Sequence, residues 1–335
     1  MSETVTAPRP RLKTRLTELL GVEHPVMLAG MGGVSYSELV AAVSEAGGFG
    51  TLGASSMRPE KLELEAGRVR RLTDRPFGVN AITAVPEDVR RLLSVIIGSG
   101  ASVYVAGLGV PEEVLAELHQ HGILVGALCG KTKHAERAVE AGVDFVVATG
   151  TEGGGHTGSV ATLALIPAVV DAVGSRVPVV AAGGIADGRG LAAALALGAD
   201  GVWIGTRFAA SVEARRLKGF QDAILAARDD STVITRAYSG KTMRVIRNAW
   251  TDHYERHPEE LLPFPQQRKL AISSGVSHLG AADDSAVDPD REAYLCGQGA
   301  VLIDRILPAR DIVVSMVEEA AAILTGLSGR MTKDD

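Results

Sequence analysis

The stretch Asp144-Phe145-Val146-Val147-Ala148-Thr149-Gly150-Thr151-Glu152-Gly153-Gly154-Gly155-His156-Thr157-Gly158 joins a short apolar run to a glycine-rich loop. The run is continuously hydrophobic, which predicts a strand buried on both faces. Five glycines in the nine residues 150–158 allow positive φ angles and a close approach of backbone to a ligand. Such a loop adds little to a core, so its position in the fold decides whether it connects or binds.

The pairing of an apolar run with a following helical stretch recurs along the chain. The predicted strands are residues 24–29, 49–52, 77–80, 102–106, 123–128, 145–148, 178–182 and 201–204. The predicted helices include residues 14–20, 37–46, 59–72, 86–97, 111–121, 132–141, 162–173 and 188–197. Continuous apolar strands favour parallel pairing in a sheet covered on both faces. Eight such units predict an α/β fold, a closed (β/α)8 TIM barrel.

An open, doubly wound sheet is the alternative that the same alternation allows. That fold binds dinucleotides through a glycine fingerprint after the first strand and an acidic residue further on. Gly30-Met31-Gly32-Gly33 matches the fingerprint only in part, and the second predicted strand carries no acidic residue. The barrel is therefore preferred.

The pattern changes after the eighth strand. Residues 213–228 predict a charged helix, and residues 231–290 are polar and punctuated by proline. We interpret this part as a mostly helical insertion that covers the site as a lid or small subdomain. An amphipathic helix over residues 308–324 is expected to close the barrel. The expected divisions are a barrel domain of residues 12–210 and 296–327, an insertion of residues 211–295, and flexible ends at residues 1–11 and 328–335.

The composition narrows the range of partners. The chain has 335 residues, of which 46% are hydrophobic and 22% charged, as in packed globular proteins. A net charge of −6 argues against nucleic acid or a membrane as the main partner. Two cysteines, Cys129 and Cys296, predict neither a disulfide framework nor a metal site. The polar start does not resemble a signal peptide and no apolar segment is long enough to span a membrane, so we expect a cytoplasmic protein.

Unusual residues follow several predicted strands, at the end of a barrel where active sites form. Asn80 ends the third strand, the loop 152–156 follows the sixth, Gly183-Gly184 follow the seventh and Gly205-Thr206 follow the eighth. Backbone N–H groups at the last two positions, beside helix starts, are typical of a phosphate site. Two tight turns that require positive φ would explain either glycine pair alone. Both pairs together favour a bound phosphate.

Six motifs, in this order, resemble the nitronate monooxygenase family, formerly called 2-nitropropane dioxygenases. They are Ala29-Gly30-Met31, Glu45-Ala46-Gly47-Gly48-Phe49-Gly50, Pro76-Phe77-Gly78-Val79-Asn80, Glu152-Gly153-Gly154-Gly155-His156, Ala181-Ala182-Gly183-Gly184-Ile185-Ala186-Asp187-Gly188 and Gly205-Thr206-Arg207-Phe208. The resemblance covers residues 12–210 and resumes at Cys296-Gly297-Gln298 and the last helix. Flavin-dependent enoyl-thioester reductases and some NADH:quinone reductases carry similar motifs.

The resemblance implies an FMN-dependent oxidoreductase that binds FMN without a covalent link at the strand ends. Gly183, Gly184, Gly205 and Thr206 would hold the phosphate. His156 would be the catalytic residue, either as a base or as a hydrogen-bond partner of an anionic nitro group. The residues that would contact FMN are Ala29, Gly30, Met31, Asn80, Thr149, Gly154, Gly155, Gly183, Gly184, Trp203, Ile204, Gly205 and Thr206.

Two departures from the family pattern affect this site. Many members have glutamine where this chain has Thr149, which is expected to alter a hydrogen bond to the flavin. Many have alanine where it has Gly153, which is expected to loosen the loop and can mark a different substrate. Glu152 is expected to tie down the loop through backbone hydrogen bonds rather than to act as an acid or base.

Three functions are compatible with these residues. The first is oxidation of alkyl nitronates such as propionate 3-nitronate, with O₂ as acceptor; an aromatic content of 4%, which leaves few side chains to stack on a nicotinamide, favours it. The alternative is an FMN- and NAD(P)H-dependent reductase of an enoyl or related acyl thioester, or of a quinone. The third is a flavin- or phosphate-binding barrel without catalysis. The sequence leaves the substrate and the oligomeric state open, a homodimer included.

Several other residues are weaker candidates. Lys131 and Lys133 follow the fifth strand and are placed to reach an anionic cofactor, although a solvated helix start explains them nearly as well. Cys129 is expected to pack as a small apolar group. Gln298 opens the closing segment and is the weakest candidate for a ligand contact. The basic residues of the insertion that could meet phosphates of CoA or NAD(P)H, unless they form a solvated helix face, are Lys241, Arg244 and Arg247.

Overall fold

The computed structural model describes residues 10–83, 86–215, 217–279 and 285–329. The ends expected to be flexible, 1–11 and 328–335, lie almost wholly outside the described residues. In chain order the strands are β1 (Val26–Leu28), β2 (Gly50–Gly53), β3 (Phe77–Ile82), β4 (Val103–Gly107), β5 (Leu124–Cys129), β6 (Phe145–Thr149), β7 (Gly155–His156), β8 (Val179–Ala182), β9 (Gly201–Ile204), β10 (Thr232–Thr235) and β11 (Met243–Ile246).

The helices flank these strands and also build part of the insertion. In chain order they are α1 (Arg15–Leu20), α2 (Ser37–Glu45), α3 (Pro59–Leu72), α4 (Pro86–Gly98), α5 (Glu112–Gln120), α6 (Thr132–Ala141), α7 (Thr162–Val173), α8 (Gly188–Ala196), α9 (Thr206–Ala209), α10 (Lys218–Leu225), α11 (Ala249–Arg256), α12 (Gln266–Ser273) and α13 (Ala309–Ser328). Among the described residues, no helix combines the length and the apolar character needed to cross a bilayer.

All strands except β7, β10 and β11 form one parallel sheet, in the order β1-β9-β8-β6-β5-β4-β3-β2. The sheet closes where Met27 of β1 pairs in parallel with Phe49, directly before β2. The Leu28 N–H donates to the Phe49 carbonyl at 2.9 Å across this seam. Helix α13 completes the outer layer by packing on α8 and α2. The predicted (β/α)8 barrel and its closing helix are confirmed.

Alternate strand residues face opposite sides of the sheet and so divide the core into two layers. One layer packs between the strands and the helices, and the other fills the barrel interior. Leu16 and Leu20 of α1 join the interior layer, and the Leu16 side chain packs against Gly201 at the start of β9. Helix α1 therefore closes the amino-terminal end of the barrel, and the cavity described below lies at the carboxyl ends of the strands. The interior layer includes Met27, Ala29, Phe49, Val103, Val105, Phe145, Val147, Val180, Ala182 and Trp203.

The insertion contains strands as well as the predicted helices. Strands β10 and β11 form an antiparallel hairpin, and β11 continues the pairing to β7 in the glycine loop. A separate apolar cluster, centred on Trp250 and Tyr254, holds the hairpin against α11 and α12. The Thr232-Val233-Ile234-Thr235 run is rich in β-branched residues, which favour strands, so the missed hairpin had a local signal.

The helix predicted over residues 213–228 is wrong at its start, because α10 begins only at Lys218. The Glu213 carboxylate instead accepts the backbone N–H of Ala309 at 2.9 Å, at the start of α13. Arg215 donates to Glu38 and to Glu65, which is fully buried in α3. These tertiary contacts outweigh the local helical preference of the segment, and they anchor the first residues of the insertion to the barrel.

The Glu65 carboxylate makes this anchor dependent on ionisation. Burial of the carboxylate opposes its negative charge, but hydrogen bonds from Arg215, Lys61 and Ser37 outweigh this effect and lower its pKa to about 2. A carboxylate with a depressed pKa in the folded state contributes stability above its usual pKa and loses it as the pH falls toward the lowered value. The contribution of Glu65 is therefore complete at neutral pH and is lost between about pH 4.5 and 2.

Candidate active site

A cavity of about 1280 Å³ lies between the carboxyl ends of the barrel strands and the insertion. This volume is above the roughly 300–1,000 Å³ that is usual for a small-molecule pocket, so it offers space for a cofactor and a substrate together. Ile204 does not line the cavity. Its side chain is buried in the layer beneath the helices, and its carbonyl accepts the Ala29 N–H at 2.8 Å. The predicted site residues that do line the cavity are Ala29, Gly30, Met31, Asn80, Thr149, Gly154, Gly155, His156, Gly183, Gly184, Trp203, Gly205 and Thr206.

Two of the cavity glycines are required by close packing. A Cβ on Gly30 would lie 2.4 Å from Cβ of Asn80. A Cβ on Gly154 would lie 2.7 Å from the backbone of Cys296 and Gly297, in the segment that follows the insertion. Neither neighbour can move without shifting backbone, so these positions exclude any larger residue.

The glycines of the expected phosphate site differ in what they require. Gly183 and Gly184 have φ angles of 108° and 73°, which only glycine adopts readily. Gly205 has a φ of −103°, so the alternative explanation, a turn that requires positive φ, does not apply to this glycine. A Cβ there would meet only Met31 and Ala29, at 3.5 Å or more. The turn therefore does not require glycine at this position. The missing side chain instead leaves space in the cavity for a ligand.

Several hydrogen bonds hold the glycine loop, and the loosening expected from Gly153 stays a prediction. The Glu152 carboxylate accepts the Thr162 N–H at 2.9 Å and lies 2.8 Å from the Thr162 hydroxyl, which ties the loop to the start of α7. The Glu152 carbonyl accepts the Gln298 N–H at 2.9 Å. Arg244 donates from Nε to the Thr151 carbonyl at 2.9 Å. Glu152 has the tethering role expected of it.

Asn80 and Thr149 are polar side chains of barrel strands that line the cavity. The Asn80 amide donates to the Val105 carbonyl at 2.7 Å, which orients its oxygen. Thr149 Oγ1 is buried and has no hydrogen-bond partner among the described residues. An unpartnered buried hydroxyl is costly, so it indicates a ligand that supplies the partner. A Cβ on Gly155 would point into open space, so this stretch of the wall leaves room for a flat group. The residues present fit a flavin.

His156 lies in β7, which pairs with β11 of the insertion. Its Nε2 is 3.1 Å from Ser239 Oγ. Burial, and then the positive charges of Lys241 and Arg268, lower the pKa of His156 to about 4. The imidazole is therefore neutral at neutral pH, and the two cations give this part of the cavity a positive potential.

The insertion contributes cavity residues that sequence reasoning missed. They are spread over residues 236–292, a segment without a family motif, so the sequence offered no signal beyond their polarity. In the folded chain they lie in and beside the hairpin, in or after α12 and around residue 292. The missed residues include Arg236, Tyr238, Ser239, Arg268, His278 and Glu292.

The weaker candidates separate clearly. Lys131 lines the cavity and Lys133 does not. Arg244 is buried within the loop tether, and Arg247 pairs with Asp252 and Glu255 at 2.9 and 2.7 Å, so neither is directed at a ligand. Of the three basic residues considered in the insertion, Lys241 alone borders the cavity.

Two further candidates behave as packing or surface residues. Cys129 borders the cavity but is 2% exposed, and burial raises the pKa of its thiol to about 12, as expected for a packing residue. Gln298 is exposed and does not line the cavity.

Comparison with known proteins places this geometry in a family. The family model described as nitronate monooxygenase matches residues 13–92 and 82–319. FabK from Thermotoga maritima superposes with a TM-score of 0.86 at 37% identity, covering 96% of this chain and 100% of that one. Nitroalkane oxidase from Streptomyces ansochromogenes superposes with a TM-score of 0.83 at 31% identity, covering 93% and 99%.

A dehydrogenase of Mycobacterium tuberculosis, named for an indene carboxyl-CoA compound, is 42% identical over 246 residues, which are 73% of this chain and 69% of the relative. The matches to nitronate monooxygenases and to nitroalkane oxidase identify the protein as an oxidoreductase. With barrel, glycine motifs and family match in agreement, the chain belongs to the nitronate monooxygenase family.

Proposed function

We propose that this protein is an FMN-dependent oxidase of alkyl nitronates, with O₂ as the electron acceptor. The proposal is carried by the charge around His156, a neutral imidazole beside Lys241 and Arg268 on the cavity wall. Cations that disfavour an imidazolium favour a bound anion, and a nitronate is a small anionic carbon acid. His156 then orients the nitro group through a hydrogen bond, because a pKa of about 4 leaves it a weak base at neutral pH.

The barrel side of the cavity is the proposed FMN site. The unpartnered Thr149 hydroxyl and the open space above Gly155 support it. Gly183, Gly184, Gly205 and Thr206 would hold the phosphate; Thr206 Oγ1 accepts the Gly297 N–H at 3.0 Å, which fixes the hydroxyl at the cavity wall. The redox chemistry is that of bound flavin, which exchanges electrons with carbanionic substrates and with O₂.

We propose that the insertion, residues 211–295, covers the cofactor and excludes water from the substrate, while residues 12–210 and 296–327 form the cofactor-binding barrel. The pairing of β11 with β7 supports this division of roles, since it places insertion side chains directly over the glycine loop. The separate apolar cluster of the insertion keeps those side chains in fixed positions. Exclusion of water strengthens the attraction between cavity cations and an anionic substrate.

Reduction of an acyl thioester with NAD(P)H is the second candidate. The relative named for a carboxyl-CoA compound favours it, as does Lys131, which lines the cavity on the loop after β5. Phosphates of CoA or of a nicotinamide cofactor would form ion pairs with Lys131 and Lys241.

Anaerobic mixing of the FMN-loaded protein with propionate 3-nitronate, and separately with NADH and NADPH, distinguishes the two candidates. We expect the nitronate to bleach the flavin absorbance and both nicotinamides to leave it unchanged on the same timescale. Rapid bleaching by NADH or NADPH without a response to the nitronate would overturn the proposal in favour of the reductase. A protein that does not bind FMN would overturn both candidate functions.

A further inference from the structure

Two histidines of the insertion lie side by side at the end of α11. His253 is in the last turn of the helix, and His257 is the residue at which the helix ends. Residues four apart on a helix share one face, and the centroids of the two imidazole rings are 4.9 Å apart. The His257 N–H donates to the His253 carbonyl at 2.9 Å, so the backbone holds this spacing. Neither histidine lines the cavity.

Two carboxylates face these rings from the 3₁₀ helix Pro258–Glu260, which follows α11 directly. Nε2 of His253 lies 2.8 Å from Oε2 of Glu260. Nδ1 of His257 lies 3.4 Å from Oε1 of Glu259. The side-chain nitrogen or oxygen atoms that His257, Glu259 and Glu260 offer to a metal all lie within 4.8 Å of one another. Two nitrogens and two carboxylate groups therefore meet at one place on the surface.

The His253 ring is oriented by packing, and the cluster is open to solvent. The ring meets that of Tyr254 edge to face, with centroids 5.0 Å apart. Tyr254 is buried in the apolar cluster that holds the hairpin against α11 and α12. The side chains of the two histidines and two glutamates are between 44% and 69% exposed, so an ion reaches them from solvent without any opening of the fold.

The chemistry of these side chains selects the kind of metal. Zn²⁺ in proteins is bound tetrahedrally by imidazole nitrogens at about 2.0–2.1 Å and carboxylate oxygens at about 2.0–2.2 Å. Mg²⁺ and Ca²⁺ take oxygen ligands, so two imidazoles disfavour them. Ligand atoms around a tetrahedral zinc are about 3.5 Å apart, so the exposed side chains need to close in by only about an ångström. Four protein ligands leave no position open for a substrate, which is the arrangement of a structural site.

We propose that His253, His257, Glu259 and Glu260 bind one Zn²⁺ ion, which links the end of α11 to the 3₁₀ helix that follows it. The ion takes the place of the hydrogen at Nε2 of His253 and at Nδ1 of His257, and each neutral imidazole then carries its hydrogen on the other nitrogen. Because α11 supports the hairpin that pairs with the glycine loop, the bound ion stabilises the insertion. This site lies outside the cavity and does not depend on the proposed function.

A zinc titration of the full chain, without an affinity tag and in competition with a chromogenic chelator, tests the site. We expect the wild type to bind one Zn²⁺ per chain and His257→Gln to bind it at least tenfold more weakly, because even changes beyond the direct ligands lower metal affinity about 10–100-fold. Zn²⁺ should raise the melting temperature of the wild type and leave that of His257→Gln unchanged at the same concentration. Co²⁺ should give the visible absorption of a tetrahedral site in the wild type only.

His119→Gln is the matched control, since His119 is an exposed histidine that pairs with the single carboxylate of Asp144 at 2.9 Å. It should bind Zn²⁺ and gain thermal stability as the wild type does. Glu260→Gln, which keeps both imidazoles, should weaken binding as His257→Gln does, and melting curves in EDTA should show all variants folded. Equal zinc affinity in the wild type and His257→Gln, or a wild type that binds no stoichiometric Zn²⁺, would refute the site. Stoichiometric binding without a rise in melting temperature would refute its structural role.

Discussion

The two walls of the cavity differ in how much backbone and how many side chains they present to a ligand. The barrel wall presents backbone where Gly30, Gly154 and Gly184 lie, although it also carries polar side chains. The insertion lines the cavity with side chains, many of them charged or polar, among them Lys241 and His278. Backbone without side chains approaches a ligand closely and allows little variation, which suits a cofactor shared across a family. Side chains on an insertion can change without disturbing the barrel, which suits a substrate. The difference between the two walls supports the proposal that the barrel binds the cofactor and the insertion recognises the substrate.

The largest effect is expected from Gly154→Ala, at the contact between the glycine loop and the segment after the insertion. Its Cβ would overlap backbone of Cys296 and Gly297 at 2.7 Å. Overpacking of this kind costs roughly 1–3 kcal/mol, so we expect a tenfold to hundredfold weaker Kd for FMN, measured by quenching of flavin fluorescence on titration into apoprotein.

Gly326→Ala is the control for that variant, because a Cβ at Gly326 in α13 meets nothing within 4 Å. It should leave FMN affinity unchanged and raise the melting temperature slightly, as alanine favours a helix by about 1 kcal/mol over glycine. Wild-type FMN affinity in Gly154→Ala would show that the barrel wall tolerates side chains after all.

An intermediate effect is expected on the insertion side. The double variant Lys241→Met, Arg268→Met should lower kcat/KM for propionate 3-nitronate roughly tenfold, since each partly exposed charge contributes on the order of 0.5–1 kcal/mol. FMN affinity should change little. NMR titration should show the pKa of His156 rising from about 4 toward its usual value, so that the imidazole protonates at a higher pH.

Arg247→Met removes a charge from the same insertion, but its guanidinium pairs with Asp252 and Glu255 away from the cavity. It should therefore change neither kcat/KM for propionate 3-nitronate nor the pKa of His156. If it slowed nitronate oxidation as much as the double variant, net charge rather than local recognition would be the cause, and the contrast between the two walls would be lost.

The smallest effect is expected at Thr149, one of the polar side chains of the barrel wall. Thr149→Val should weaken FMN binding by about 1 kcal/mol, or roughly fivefold, because the hydroxyl finds its hydrogen-bond partner only in the ligand. The apoprotein should be as stable as the wild type or slightly more so.

Thr51→Val serves as the comparison, since Thr51 Oγ1 is also buried without a partner among the described residues but does not line the cavity. Its FMN affinity should equal that of the wild type. Equal losses of affinity in both variants would mean that the hydroxyl of Thr149 acts through packing, not through the cofactor.

Most of the fold followed from local pattern. Continuous apolar runs and their glycine ends place all eight barrel strands within a few residues, and the bounds of α3, α6 and α7 agree with prediction. These elements are repeated, buried on both faces and short, so periodicity alone identifies them. The start of α10 was misplaced because Glu213 and Arg215 serve distant partners, which no local window contains.

The sequence by itself determined the barrel, the family and the glycine positions, because each depends on contiguous motifs or on backbone space. Only the tertiary structure decided which polar side chains of the insertion face the cavity. His156 and Ser239 are 83 residues apart in the sequence but lie in contact. His278 and Glu292 also lie in contact, although they are 14 residues apart. Such contacts arise from the folding of the hairpin over the glycine loop, and the charges they bring together, not the residues alone, set the chemistry of each histidine.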